Sequence, residues 1–166
     1  MTGALNALRQ DIVALLREYG LHAVTAMDPA ARKNWDGPVA AVSLSRVVCA
    51  AGGFRDYLGQ RENPDTGNMD ELYGKAVELT FSLDLYAPRN GGESACQEAA
   101  AVMAEALACR TVSGLSVREM QTGQVEFLER DGLYRMPVSC VCKGWMVAVV
   151  DDSGTFVDFE VKGSRI

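Results

Sequence analysis

The sequence predicts an α+β domain of two layers, with a mostly antiparallel sheet, two principal helices packed on one face, and a C-terminal β-meander. Three observations carry that expectation. Apolar residues recur at three- and four-residue steps in two segments, one stretch alternates apolar and polar side chains, and closely spaced turn formers divide the last third. Helices segregated to one side of antiparallel strands are the α+β arrangement.

The first helix is marked by Leu5, Leu8, Ile12, Leu15, Leu16 and Tyr19, which form one apolar stripe. Gly20 follows where a helix stop favours a left-handed residue. The second is announced by Gly91-Gly92 and by Ser94 with Gln97 three residues on, a capping box in which each side chain satisfies an orphan backbone donor. Its buried stripe is Cys96, Ala100, Met103 and Leu107. Interspersed alanines favour helix and allow close packing, and Arg110 in the last turn suits the negative end of the dipole.

The best strand lies between them, from Lys75 to Tyr86. Val77, Leu79, Phe81, Leu83 and Leu85 alternate with Glu78, Thr80, Ser82 and Asp84, so one face is core and the other polar. Pro38 to Val48 reads as another strand after the Asp36-Gly37 turn, and His22 to Met27 as a short one. Beyond the second helix, Leu115 to Met120, Val125 to Leu128, Tyr134 to Val150 and Thr155 to Val161 are separated by Thr122-Gly123, Asp131-Gly132 and Asp152-Ser153-Gly154. The run from Tyr134 to Val150 exceeds a normal strand, which predicts a bend or bulge near Lys143-Gly144.

Gly59 to Tyr73 has neither period and holds Pro64, Gly67 and several turn formers, so it reads as a long mobile loop. Loops of that length inside a compact domain usually serve a function or order against a partner, although a solvated excursion explains the same composition.

At 166 residues and 48% hydrophobic, the chain fits one domain over residues 1–166 with a continuous core. No apolar run reaches the ~20 residues that cross a bilayer, and the first residues lack the pattern of a secretory signal, so the expectation is a chain that stays in the cytoplasm. The net charge of −6 argues against specific nucleic-acid binding or a hold on anionic membrane. Residues 59–113 alone carry a net −5, so the acidity is centred on the middle third.

The chemistry of sites returns exclusions. His22 is the single histidine and sits beside Leu21 and Val24, which leaves no material for a histidine triad or a multi-histidine metal site. The five cysteines, Cys49, Cys96, Cys109, Cys140 and Cys142, are scattered and odd in number, unlike a disulfide framework. Cys140 and Cys142 share one strand face but lack a second pair at zinc-ribbon spacing. Gly74-Lys75 fails as a phosphate loop because Ala76 follows and Met69 stands where the first glycine belongs. Asp65, Asn68, Asp70 and Glu71 lack the alternating spacing of a calcium loop. The reading is therefore of no catalytic residues, no metal and no cofactor. Aromatic placement says more. Phe54, Tyr57 and Leu58 fall between a strand and the polar loop, and Phe156 and Phe159 lie on opposite faces of the last strand, so some face a neighbour. The strand neighbours Val157 and Val161 favour burial of Phe159 over Phe156.

The order of elements, with Tyr57-Leu58-Gly59, a polar loop, Tyr73-Gly74-Lys75, the strand ending Leu83-Asp84-Leu85-Tyr86-Ala87-Pro88, the Gly91-Gly92 turn and the Ala-rich helix, resembles small bacteriophage and prophage tail proteins, particularly tail terminators. The resemblance covers most of the chain and rests on no catalytic or ligand motif. It implies an α+β subunit of the virion tail, assembled in the bacterial cytoplasm. Such subunits form a homo-oligomeric ring, commonly a hexamer, at the head-proximal end of the tail tube, where they end tube growth, meet the neck and let DNA pass. The residues expected to make subunit and tube contacts are Phe54, Tyr57, Leu58, Arg61, Asp65, Met69, Leu72 and Phe156. Another neck or sheath-associated role, or a small ligand-binding module or enzyme, stays open as the alternative.

Overall fold

Strict alternation over residues 75–86 dictates a strand with one buried face, and the strand that forms is longer than its apolar core. In the computed structural model, which describes residues 2–25 and 35–164, it spans Met69–Pro88. In chain order the elements are α1 (Thr2–Glu18), β1 (His22–Val24), β2 (Val39–Ala51), a 3-10 turn (Phe54–Asp56), β3 (Tyr57–Glu62) and β4 (Met69–Pro88). There follow α2 (Gly92–Cys109), β5 (Val117–Thr122), β6 (Glu126–Leu128), β7 (Leu133–Met136), β8 (Val138–Val150) and β9 (Phe156–Lys162). Ala26 and Met27, expected at the end of β1, lie outside the described residues.

Among the described residues all nine strands join one sheet, and only β1 with β2 is parallel. Central β4 carries β2 and then β3 along one side and β7 and then β8 along the other, while β5 and β9 add to the outer edge of β8. The helices lie on one face, over Val77, Leu79, Phe81, Leu83 and Leu85 of β4 and Cys140 and Cys142 of β8. Leu8, Ile12 and Leu16 of α1 and Cys96, Met103 and Leu107 of α2 complete this core. The α+β expectation holds.

Three local expectations are corrected. Residues 59–73 are not a structureless loop: β3 and the start of β4 form a hairpin, with Glu62 opposite Met69. Its turn is built by Asn63, whose Oδ1 accepts from the amides of Asp65 at 2.9 Å and Thr66 at 3.4 Å, with Gly67 at φ +71°. The capping box does not form, because α2 starts earlier. Gly91 is its N-cap, Ser94 Oγ donates to the Gly91 carbonyl at 3.3 Å, and Gln97 Nε2 donates to Glu93 at 3.2 Å.

The third concerns residues 134–150. The register against β4 is constant from Glu71 opposite Val150 to Pro88 opposite Leu133, with no bulge at Lys143-Gly144. The interruption falls at Pro137, which has no N–H to give the ladder. Gly144 serves packing instead. A Cβ there would meet Leu115 Cδ2 at 2.5 Å and the Lys162 carbonyl at 2.7 Å.

The buried side of the sheet reverses along β4. Beyond Gly74, toward the start of the strand, Leu72 and Asp70 are buried, and these project from the face opposite Val77 and Leu79. Leu72, Leu58 of β3, and Val147 and Val149 of β8 make a second, smaller core on which Trp145 packs. The strands must coil sharply to enclose it. Arg61 of β3 and Glu160 of β9, on edges separated by β4 and β8, nevertheless meet in two bonds of 3.0 Å. In a flat sheet those edges stand roughly 14 Å apart, so the pair closes a curled sheet end over its concave side.

That pair yields a prediction. Hydrogen bonds from Arg61 hold the Glu160 carboxyl below the ordinary carboxylate range, with nearby Arg61 and Lys162 charge adding to the effect. A depressed folded value contributes stability above the unfolded value of about 4.3 and loses it as pH falls through the folded one. Arg61→Ala should cost about 1 kcal/mol near neutral pH, because both side chains stay partly solvated. Urea titrations should show this difference shrinking below about pH 4. A difference independent of pH would remove the ion pair from the account.

Candidate functional site

The end of the sheet formed by β3, the start of β4, the end of β8 and β9 runs past the helices, and its outer surface is built by register alone. Tyr57 stands opposite Tyr73, Tyr73 opposite Ala148, and Ala148 opposite Phe159, so these four share one face across four strands. The next row is Gln60, Glu71, Val150 and Phe156, and Met69 lies beyond it opposite Glu62. Tyr57, Tyr73, Met69 and Phe156 are exposed, Phe156 to 60%, while Phe159 tucks against the main core. The order of burial is the expected one, but the faces are not: a register shift between Val149 and Val150 puts Phe156 on the same face as Phe159, and Val157 is exposed.

Polar groups fix the aromatics in place. The Tyr57 and Tyr73 rings meet edge to face, with centroids 5.3 Å apart. Glu71 accepts from Gln60 Nε2 at 2.6 Å and also bonds the Tyr57 hydroxyl, which lowers the Glu71 carboxyl and raises the Tyr57 phenol.

Phe54 projects beside this surface and is 86% exposed. The chain presents it at a conformational cost, because the next two residues, Arg55 at φ 52° and Asp56 at φ 60°, are both left-handed. Such non-glycine conformations cost of order 1–3 kcal/mol each and persist only where the surroundings impose them. Here Gly52 packs so close to the Gly74 carbonyl, Leu58 and Trp145 that no Cβ fits, and Asp56 is tied to Lys75 Nζ at 2.7 Å.

The eight residues expected at an interface therefore divide. Phe54, Tyr57, Met69 and Phe156 come to one exposed end of the sheet, and Asp65 is exposed on the adjacent turn. Leu58 and Leu72 are corrected: at 1% and 0% exposure they are core residues beneath that end and present nothing to a partner. Arg61 is committed to Glu160. Tyr73 also belongs to the surface; a loop ending at residue 73 gives no sign of it, whereas the hairpin makes it the cross-strand neighbour of Tyr57.

The remaining reactive groups lie elsewhere. His22 is exposed on the short parallel strand. Cys140 and Cys142 are buried under the helices, and the Cys140 thiol is pushed up first by its hydrogen bond with Cys142 and then by burial, which makes it inert. Among the described residues no helix is long and apolar enough to cross a membrane.

The class that these features define is an α+β protein with a single sheet extending beyond its helix layer into an exposed aromatic end. In comparison with known proteins, the chain matches no family model and no curated sequence.

Proposed function

We propose that this chain is a structural subunit of a bacteriophage tail, of the tail-terminator kind. Copies of it close into a ring at the head-proximal end of the tail tube, stop tube growth and join the neck. The observation that carries the reading is the exposed aromatic end of the sheet. Contiguous apolar surface rimmed by polar groups marks a protein–protein contact, and here it stands on paired strands in a rigid, repeatable geometry. A ring requires heterologous contacts whose rotation closes, so the end of one sheet meets a different surface of its neighbour. The work is done by surface shape, with DNA passing through the lumen.

Phe156→Asp tests it. Because the side chain is largely exposed, folding stability should change by less than about 0.5 kcal/mol. Self-association and binding to tail tubes should both be lost, as read by light scattering and electron microscopy. Association indifferent to this change would remove the aromatic end from the interface.

A further inference from the structure

The face of the sheet away from the helices carries a groove of about 400 Å³ beside β2. Arg46, Arg118 and Lys143 line it, with Glu78 as its single acid and Val48 and Trp145 as apolar wall. Lys143 is neutralised by Glu78 at 3.5 Å, whereas Arg46 and Arg118 form no ion pair among the described residues. The groove thus holds two uncompensated cations in an acidic protein.

The opposite charge collects at one pole. Asn68 of the β3–β4 turn donates from Nδ2 to Asp152 of the β8–β9 turn at 3.1 Å, which joins the two hairpin tips. Residues 62–70 and 150–158 contain Glu62, Asp65, Asp70, Asp151, Asp152 and Asp158 and no Lys or Arg. All but Asp70 reach solvent. These tips account for the whole net charge of −6.

We infer that the joined acidic tips of one copy seat in the cationic groove of the next. Two alternatives fail on charge and distance. A two-fold contact through the tips would set these carboxylates against their own copies, so like-charge repulsion selects a heterologous contact. A tip cannot reach its own groove, because the seven residues of β4 from Asp70 to Val77 hold them roughly 23 Å apart. The inference rests on the ring reading and names the contact that would propagate it, with the apolar end of the sheet beside the tips supplying buried area and the charges setting direction and register.

The test uses charge reversal at exposed positions. Arg46→Glu with Arg118→Glu reverses the groove, and Asp65→Lys with Asp152→Lys reverses the tips. In heteronuclear NMR and light scattering over a concentration series to near-millimolar, wild-type amide shifts should grow together at the tips and the groove. Self-association should weaken about tenfold in either variant, and for the wild type at about 0.5 M NaCl. An equimolar mixture of the two variants should assemble again, because each supplies the partner the other lacks. Association that maps elsewhere and ignores both reversals overturns this contact and leaves the ring standing. A chain that stays monomeric without shifts overturns both. Retention of DNA that the groove reversal abolishes assigns the groove to nucleic acid and overturns the inference.

Discussion

Phe81→Ala is expected to lower the stability of the protein by about 3–5 kcal/mol, a large share of the total for a domain of this size. Phe81 is 1% exposed at the centre of β4, opposite Leu44 of β2 and Cys140 of β8, under the helix layer. Truncation removes the largest fully buried side chain of the main core. On one side β8 keeps a constant register against β4 past Phe81, so it cannot collapse into the space, and the cavity adds to the lost transfer energy. Urea denaturation followed by circular dichroism reads the effect. An unmoved midpoint would mean that the buried face of β4 is wrongly assigned.

Gly74→Ala is the second large effect and acts by the reverse mechanism. A Cβ at this position would run into the backbone carbonyl of Met146 on β8, and backbone in a paired strand cannot rotate aside as a side chain can. Overpacking of this kind costs typically about 1–3 kcal/mol, and the fixed obstacle here puts Gly74→Ala near or above 3 kcal/mol. The location sharpens the expectation. Gly74 is where the buried side of the sheet changes over, between Leu72 in the small core and Val77 in the main one. Forcing β4 from β8 there should loosen the small core first. Hydrogen exchange should therefore accelerate at Leu58, Leu72, Val147 and Val149 while the amides under the helices keep their protection. Uniform loss of protection would show that the two cores unfold as one unit.

The changeover at Gly74 also explains which parts of the fold were legible in the sequence. Val77 to Leu85 keep one parity through five apolar positions beneath two helices, so period two stands out and the main layer follows from it. The hairpin of β3 and β4 has an equally ordered backbone but buries only two apolar side chains, Leu58 and Leu72, together with the charged Asp70, and its inward polar groups Arg61 and Asp70 are satisfied by Glu160 and Asn63. Local periodicity carries no sign of a partner ninety-nine residues away. Residues 134–150 mislead the other way. Gly144 predicts a bend but serves to admit Leu115 and the Lys162 carbonyl, and the real break is at Pro137, which has no N–H to give and whose carbonyl accepts from the Gly123 amide.

The same reasoning separates the expected interface residues. Phe54, Tyr57, Met69 and Phe156 were found from aromatic and apolar side chains that the core had no room for, and they do meet at one end. Leu58 and Leu72 were placed with them because a loop has no interior, an error that disappears once the hairpin is recognised. Arg46, Arg118 and Lys143 come from three separate strands and are brought to one groove only by sheet order, which no spacing in the chain displays.

The central claim is that the aromatic end of the sheet and its charged neighbours make this chain a ring-forming subunit. Multi-angle light scattering of the purified protein, from micromolar to near-millimolar concentration at low ionic strength, tests it most directly. The account predicts a passage from the 17.9 kDa monomer to one species of fixed, multiple mass that stops growing as concentration rises, the mark of a closed ring. A mass that stays at 17.9 kDa throughout, or one that increases without limit, would contradict it.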